Sequence, residues 1–460
     1  MSQARRRSST TRFAVKLLLV VVLVCTAVYL GLLLELQRTL DQRLLRLHAA
    51  GVPKTWTEVA PPPVPDEDNA ALIYWQAIKQ LNLSRSERRE VLSSNWGVSS
   101  ASDAMPVGVQ EILNRNRRAL ALICEAADKP RFHLAGDWDI TPFKTPPAVT
   151  WFAGDASRCS ALLRADAAMA TEQGRNAEAV DAWGRCMRIS EQVGSGGFPL
   201  WPTSVEIRIM TLATLQATLV HTEPDAQTCR ALLEELGRSD LRAAYRKAAV
   251  TSILTTLWWF DAAERDPAQF GVFRGRYSRL RPSSWTGKIY LSPLGRLIRL
   301  GEEVGFVDVL QESLSLTERP YRDSAGGYAA LRRRLKRAPP CYLITRELGS
   351  GIIHQESLAW GYDRVRALQC AMQVALALKA YHATRGTYPD SLTALREYPA
   401  WKLPEDPFSG KAFAYKRTGR GFILYSWGAD LDDDGGREVA QTSGGDDTPP
   451  DGDLVWRFEK

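Results

Sequence analysis

The hydrophobic pattern opens with an unbroken run. "AVKLLLVVVLVCTAVYLGLLL" (Ala14–Leu34) carries a single charge, Lys16, near its start. About 20 apolar residues in a helix span the hydrocarbon core of a bilayer, and a terminal lysine can snorkel to the interface. The run predicts a transmembrane helix over 13–34, preceded by a polar tail at 1–12. "LELQRTLDQRLLRLHAAG" prolongs the helix to Gly51, with Leu33, Leu36, Leu40, Leu44 and Leu47 at three- and four-residue spacing. Such a seam packs in a short coiled coil or against the body of the protein. "APPPVPDEDN" (Ala60–Asn69) is a linker, since consecutive prolines favour extended backbone. Residues 35–69 therefore read as a juxtamembrane helix followed by a proline-rich linker.

Over 70–350 the pattern is helical. "ALIYWQAIKQL", "VGVQEILNRNRRALALICEAA" and "TSVEIRIMTLATLQATLV" repeat apolar residues at helical spacing, and "AQTCRALLEELG" closes on a helix-ending glycine. "SRCSALLRADAAMATEQGRNAEAVDAWGRCMRIS" (Ser157–Ser190) reads as a helical hairpin turning at Gly174 and Asn176, with alanines where the helices approach. It resembles one tetratricopeptide unit, without the further copies a solenoid needs. Trp258, Trp259 and Phe260 cannot share one helical face, so core packing on several sides is expected there.

The pattern changes over 351–460. "ESLAWGYDRVRALQCAMQVALALKAYHATRG" predicts one long helix ending at Gly386, striped by Val365, Leu368, Met372, Leu376 and Lys379. Ala371, Val374, Leu378 and Tyr381 thicken the stripe. After it come a turn and short helix, "TYPDSLTAL", and a proline-glycine loop, "LPEDPFSG". "AFAYKR" and "GFILYSW" are strands about "TGRG", and "DLVWRFEK" is a last strand. The fold class is mainly α, with a small α+β domain of one long helix and a short antiparallel sheet at the C-terminus.

Charge adds an orientation. The arginine-rich "MSQARRRSSTTRF" before the apolar run keeps the N-terminus cytoplasmic and places the main domains outside, in a bacterial inner membrane. A cleaved signal peptide would need a site near Cys25-Thr26-Ala27, but the apolar run continues past it, favouring an uncleaved anchor. The net charge of +7 over 460 residues is modest. Its denser patches, Phe273–Pro282 and Leu331–Pro340, read as solvated helix faces or loops, and no nucleic-acid partner is expected. Seven cysteines occur with no C-x-x-C pair, which excludes zinc-ribbon and thioredoxin-type chemistry. Single buried thiols are the plainer interpretation. If the hairpin helices are antiparallel, Cys159 and Cys186 fall at similar heights and a disulfide is the alternative.

The C-terminal quarter resembles the globular part of the major pseudopilin of type II secretion systems. The matching motifs run in order: "ALKAYHATRGTYP" (Ala377–Pro389), "SLTAL" (Ser391–Leu395), "LPEDPFSGKAFAY" (Leu403–Tyr415), "FILYSWGAD" (Phe422–Asp430) and "GDLVW" (Gly452–Trp456). The N-terminus departs from that family, lacking its glycine-phenylalanine-threonine-leucine-x-glutamate processing site. More than three hundred residues also separate the anchor from the matching part. The chain thus looks like an anchored envelope protein carrying such a module, rather than a processed filament subunit. "VPDEDNAALIYW" (Val64–Trp75) is similar to the opening of the outer domain in such proteins.

"YSWGADLDDDGGRE" (Tyr425–Glu438) is the main candidate for chemistry. Calcium takes six to eight oxygen ligands from carboxylates and carbonyls, with glycine permitting tight curvature. Asp430, Asp432, Asp434 and Gly435 stand at the first, third, fifth and sixth positions of an EF-hand-like loop, with Glu438 at the ninth and Gln441 where a bidentate glutamate would close it. A strand rather than a helix precedes them, which argues against a true EF-hand. The pseudopilin resemblance implies a different ligand set: the Asp430 carboxylate, the Trp427 carbonyl and later groups, with Asp446, Asp447 and Asp453 as candidates. An ion-free acidic turn is the alternative.

No H-E-x-x-H, G-x-S-x-G, Walker or dinucleotide motif occurs, and the five histidines are scattered. "GSGIIHQES" (Gly349–Ser357) reads as a loop entering a helix. The leading expectation is a single-pass, non-enzymatic envelope protein that scaffolds assembly or secretion, with a calcium-stabilised module and an envelope-protein or self-association partner. The alternatives are a hydrolase whose site assembles across the helical domain, and a carbohydrate- or peptide-binding protein with tryptophans lining a groove.

Overall fold

The apolar run and its polar flanks form one continuous helix, α1 (Ser2–Ala49). None of its most apolar 18-residue window is buried, and it is long and apolar enough to cross a membrane. A computed structural model describes residues 2–59, 62–84, 87, 108–134, 147–197, 200–265, 285–397, 403–438 and 450–459. The basic patch Phe273–Pro282, Gln441 and the acidic candidates Asp446 and Asp447 lie outside the described residues.

After α1 come α2 (Trp56–Val59), α3 (Ala70–Gln80), α4 (Val109–Arg115) and α5 (Arg117–Ala127). The central helices are α6 (Pro147–Glu172), α7 (Asn176–Gly194), α8 (Trp201–His221), α9 (Ala226–Arg238) and α10 (Arg242–Arg265). Then follow α11 (Trp285–Tyr290), α12 (Arg296–Thr317), α13 (Tyr321–Lys336) and α14 (Leu343–Arg385). Strands β1 (Ala414–Thr418), β2 (Gly421–Ser426) and β3 (Leu454–Phe458) close the chain. The chain divides into two compact units.

The first unit comprises Met1–Val52, Thr255–Ser313 and Ala329–Ile352. The leucine seam of α1 packs within it: Leu40 and Leu47 are buried, and Leu33, Leu36 and Leu44 are half-buried. Arg43 fixes the register by donating to the Val304 carbonyl at 2.8 Å and pairing with Asp308. Of the aromatic triplet Trp259 and Phe260 are core residues and Trp258 is half-buried, and Phe260 meets Phe306 with ring centroids 5.5 Å apart. In the Leu331–Pro340 patch, Leu331 and Leu335 are buried while Arg333, Arg334 and Arg337 face solvent, so α13 is amphipathic there.

One acid sits in this core. Glu302 is fully buried, accepts from the Thr345 amide, and accepts from the Tyr290 hydroxyl. Burial pushes its carboxyl up from 4.5 to about 7, even against these two hydrogen bonds. A raised acid contributes stability that is complete below its ordinary value and is lost as pH climbs through the raised one. The interval corresponds to about 3 kcal/mol. Wild-type protein should therefore melt at falling temperature between about pH 5 and pH 8, and Glu302→Gln should fall less. Gln keeps the acceptor for Thr345 and offers its amide to the Tyr290 oxygen. Identical slopes in thermal melts of the two proteins would remove Glu302 as the cause.

The second unit comprises Pro53–Leu254, Leu314–Tyr328 and Ile353–Lys460. The expected hairpin is α6 and α7, turning at Gly174, whose φ of +67° suits only glycine well. Trp183 is buried between them and donates its indole N–H to the Thr171 hydroxyl at 3.1 Å. Helix α8 packs on both α6 and α7 and is buried on nearly all sides. All seven cysteines are free; Cys159 and Cys186 are buried thiols whose ionisation burial pushes up, Cys159 to about 12.

Helix α14 corrects one expectation. "GSGIIHQES" is not a loop entering the helix but part of it, since α14 begins at Leu343. A glycine in a helix interior costs about 1 kcal/mol relative to alanine. Gly349 and Gly351 are tolerated because the helix is buried on either side of them, at Ile344 and at Gln355 and Leu358. Of the predicted stripe Val365, Met372, Leu376 and Lys379 are buried, while Leu368 is half-buried. The Lys379 ammonium is satisfied by the Thr222 carbonyl at 3.0 Å and Glu223 at 3.3 Å.

The three strands form an antiparallel sheet in the order β1-β2-β3, with Tyr415 opposite Leu424 and Leu424 opposite Trp456. Phe422 stacks on Phe458 at 4.6 Å and meets Tyr388 edge-on at 5.0 Å, while β3 packs against α8. The link from β2 to β3 is the acidic segment.

Candidate metal centre

Strand β2 ends at Ser426, and the loop that follows is held at its base by the Asp-Pro turn. Asp406 is buried and accepts from the Phe408 and Ser409 amides at 3.1 and 3.0 Å. It also accepts from the Ser426 hydroxyl at 2.6 Å, which ties the "LPEDPFSG" loop to the strand exit. Trp427 lies on the same support, its ring 4.7 Å from the Lys411 ammonium. At Gly428 φ is +75°, and a Cβ would stand 2.5 Å from the Gly452 carbonyl oxygen. Only glycine lets the outgoing and returning chains approach this closely.

Past that point the backbone curls so that alternate side chains turn the same way. Leu431 has φ of +68°, the one non-glycine in the left-handed region among the described residues. It stands between Asp430 and Asp432. The carboxylates of Asp430, Asp432 and Asp434 each bring an oxygen within 4.8 Å of the others. Asp430 Oδ2 accepts from the Gly452 amide, so the return strand fixes its direction. Asp434 Oδ1 accepts from Arg437 Nε at 3.0 Å. Asp453 is set apart from the trio: it is buried, and its Oδ2 accepts from the Gly436 amide at 2.6 Å. Glu438 lies outside the cluster, bridged to Asp453 through the backbone and paired with Arg457 at 3.0 Å.

Three oxygens here lack any hydrogen-bond donor although they are hidden from solvent: Asp430 Oδ1, Asp434 Oδ2 and Asp453 Oδ1. Burying an anionic oxygen without a partner is costly. Burial pushes the Asp430 carboxyl up, its Gly452 hydrogen bond opposes this, and the neighbouring Asp432 and Asp434 charges add to the rise. Burial likewise raises Asp453. A divalent cation relieves both problems at once, and an all-oxygen, carboxylate-rich donor set with a tight glycine turn suits calcium or another hard cation. The donor chemistry therefore fits the ion. Asp430, Asp432 and Asp434 are the residues brought together; Asp453 supports the loop from the side, and Trp427 stands at its base.

Two further polar clusters escaped the sequence reading, the buried Glu302 and an internal Arg208. Both occupy helices whose hydrophobic periodicity is otherwise ordinary; a charge among apolar residues, as Arg208 in "TSVEIRIMTLATLQ", is the only signal. Glu302 borders a cavity that Phe306, Arg333, Tyr342 and Thr345 also line. No family model matches the chain, and no curated protein or solved structure does either.

Proposed function

We propose that this chain is a non-catalytic, single-pass membrane protein of the bacterial envelope. Its helical portion presents surfaces for assembly, and its C-terminal portion is a pseudopilin-like module stiffened by calcium. The observation that carries the reading is α1, whose apolar window is wholly uncovered while the seam following it is packed. A helix of that kind serves as an anchor or a signal sequence, and its continuation into the packed seam favours the anchor. The pseudopilin-like module is supported by the ordered motifs quoted above and by a helix followed by a three-stranded sheet. The scaffold role is supported by an extensive helical surface, and a second copy or another envelope protein is the partner class it fits.

Two measurements test this. The full chain expressed in bacterial membranes should stay in the pellet after alkaline carbonate extraction; release into the supernatant would defeat the anchor. Crosslinking in intact membranes should then give a reproducible adduct with an envelope protein or a second copy. Absence of any reproducible adduct would defeat the scaffold.

A further inference from the structure

Outside α1, the large apolar side chains exposed among the described residues are only three: Trp285 and Leu294, each 76 % exposed, and Ile289, 41 % exposed. All three fall in one short stretch of the first unit, α11 and the turn after it. Their clustering is not what scattered surface hydrophobics look like.

The stretch is held rigidly from behind. Trp285 and Ile289 are four residues apart and share one face of α11, while Gly287 and Tyr290 are buried on the other. Tyr290 is gripped twice: its hydroxyl donates to Glu302, and its carbonyl accepts from Arg299 Nη1. Arg299 in turn pairs with Glu264 at 2.6 Å. The turn back into α12 is tight, since a Cβ on Gly295 would come within 2.3 Å of the Tyr290 carbonyl oxygen.

Its height along α1 is fixed as well. The Tyr29 hydroxyl donates to the Pro293 carbonyl at 2.6 Å, so Leu294 stands beside Tyr29. Tyr29 precedes Leu34, the last residue of the apolar run, by five positions, or about 7.5 Å at the helical rise. Further along, Arg43 binds Val304 and Asp308, so α12 runs beside α1 in the same direction, away from the apolar run. The exposed trio is thereby placed at the outer edge of the apolar span.

We propose that Trp285–Gly295 is a second membrane contact, a short interfacial foot that enters the lipid headgroup region beside α1. The depth set by Tyr29 matches the roughly 5–10 Å to which interfacial helices bury their apolar faces. Tryptophan is enriched at this level, and the exposed Lys288 beside Trp285 can extend its ammonium to the phosphates. With α1 the foot gives the first unit two attachments, which fixes its tilt and rotation against the bilayer. The inference rests on the anchor reading of α1.

The test uses the full chain reconstituted in phosphatidylcholine vesicles that carry a diazirine on the acyl chain. After illumination, lipid adducts are mapped by peptide mass spectrometry. Adducts are expected on α1 and on the peptide spanning Trp285–Gly295. The triple variant Trp285→Ser, Ile289→Ser, Leu294→Ser should lose the second set and keep the first, and the double variant Trp285→Ser, Leu294→Ser, which spares the partly covered Ile289, should lose most of it. Adducts confined to α1 in the wild-type chain would overturn the foot while leaving the anchor standing, and would mean that protein, such as a second copy, covers the trio. Unchanged adducts in the triple variant would also overturn it. Adducts on neither segment would defeat the anchor itself.

Discussion

Calcium should raise the melting temperature of the wild-type chain and leave that of Asp430→Asn unmoved. An ion that binds the folded loop but not the open chain stabilises by mass action, about 2.7 kcal/mol at a hundredfold excess over its dissociation constant. For a cooperative unit as large as the second one, with the usual unfolding entropy per residue, that is roughly 4 °C. Asparagine at 430 keeps an oxygen to accept from the Gly452 amide, so the return strand is not cut loose, but it removes one charge from the cluster. The calcium-free proteins should therefore rank the other way. Without the ion, Asp430→Asn should be the more stable, because the wild type buries Asp430 Oδ1 without a donor, close to two like charges. A crossing of the two melting curves with calcium is the signature. Protons compete for the same oxygens: Asp430 is raised, so apparent calcium affinity should weaken on acidification, beginning above the ordinary carboxylate range. A wild-type transition that ignores calcium, or a shift of equal size in both proteins, would reduce the cluster to an acidic turn.

How much of this was legible beforehand depends on whether a feature is local. The long apolar run of α1, the α6–α7 turn at Gly174 and the strands around the Thr418–Gly421 hairpin were all readable, because periodicity and turn residues encode them directly. The acidic loop was readable as a motif, and its alternation of aspartates did bring Asp430, Asp432 and Asp434 together. What the sequence hid is tertiary. Gly349 and Gly351 read as breakers, yet packing at either end carries α14 through them. The leucine seam alone does not choose its partner, which Arg43 fixes through Val304 and Asp308. Trp285, Ile289 and Leu294 look like ordinary core residues in the string of letters; only their exposure marks them. Arg208 is one charge in an apolar-rich helix, and only its complete burial marks it.

That buried arginine supports the second large expected effect. Arg208→Ala should lower the unfolding free energy of the chain by about 3–5 kcal/mol, as breaking a buried charge network does. Its guanidinium is fully buried and donates through Nε to the Ser190 hydroxyl at 2.7 Å, and through Nη1 to Gln369 at 2.9 Å. Nη2 donates to the Met187 carbonyl at 3.1 Å and reaches Glu191 at 3.5 Å. The network extends from there: Glu191 accepts from the Asp240 amide at 3.0 Å, and Gln369 donates to the Leu236 and Ser239 carbonyls at 2.7 and 2.8 Å. One side chain on α8 thus ties α7, α14 and the turn between α9 and α10. Burial lowers the guanidinium pKa to about 10, so it stays charged at neutral pH. Arg208→Met separates the contributions. It fills the volume with apolar atoms, so only the lost hydrogen bonds remain, and it should cost about half as much as alanine. Glu191, a third exposed, can rehydrate in either variant, which is why the loss comes from the inward-facing Gln369 and Met187 groups left without their donor. Denaturant midpoints for the three proteins check the order wild type, then methionine, then alanine. Arginine and alanine within about 1 kcal/mol of each other would show that water replaces the guanidinium and that α8 needs no charge at its centre.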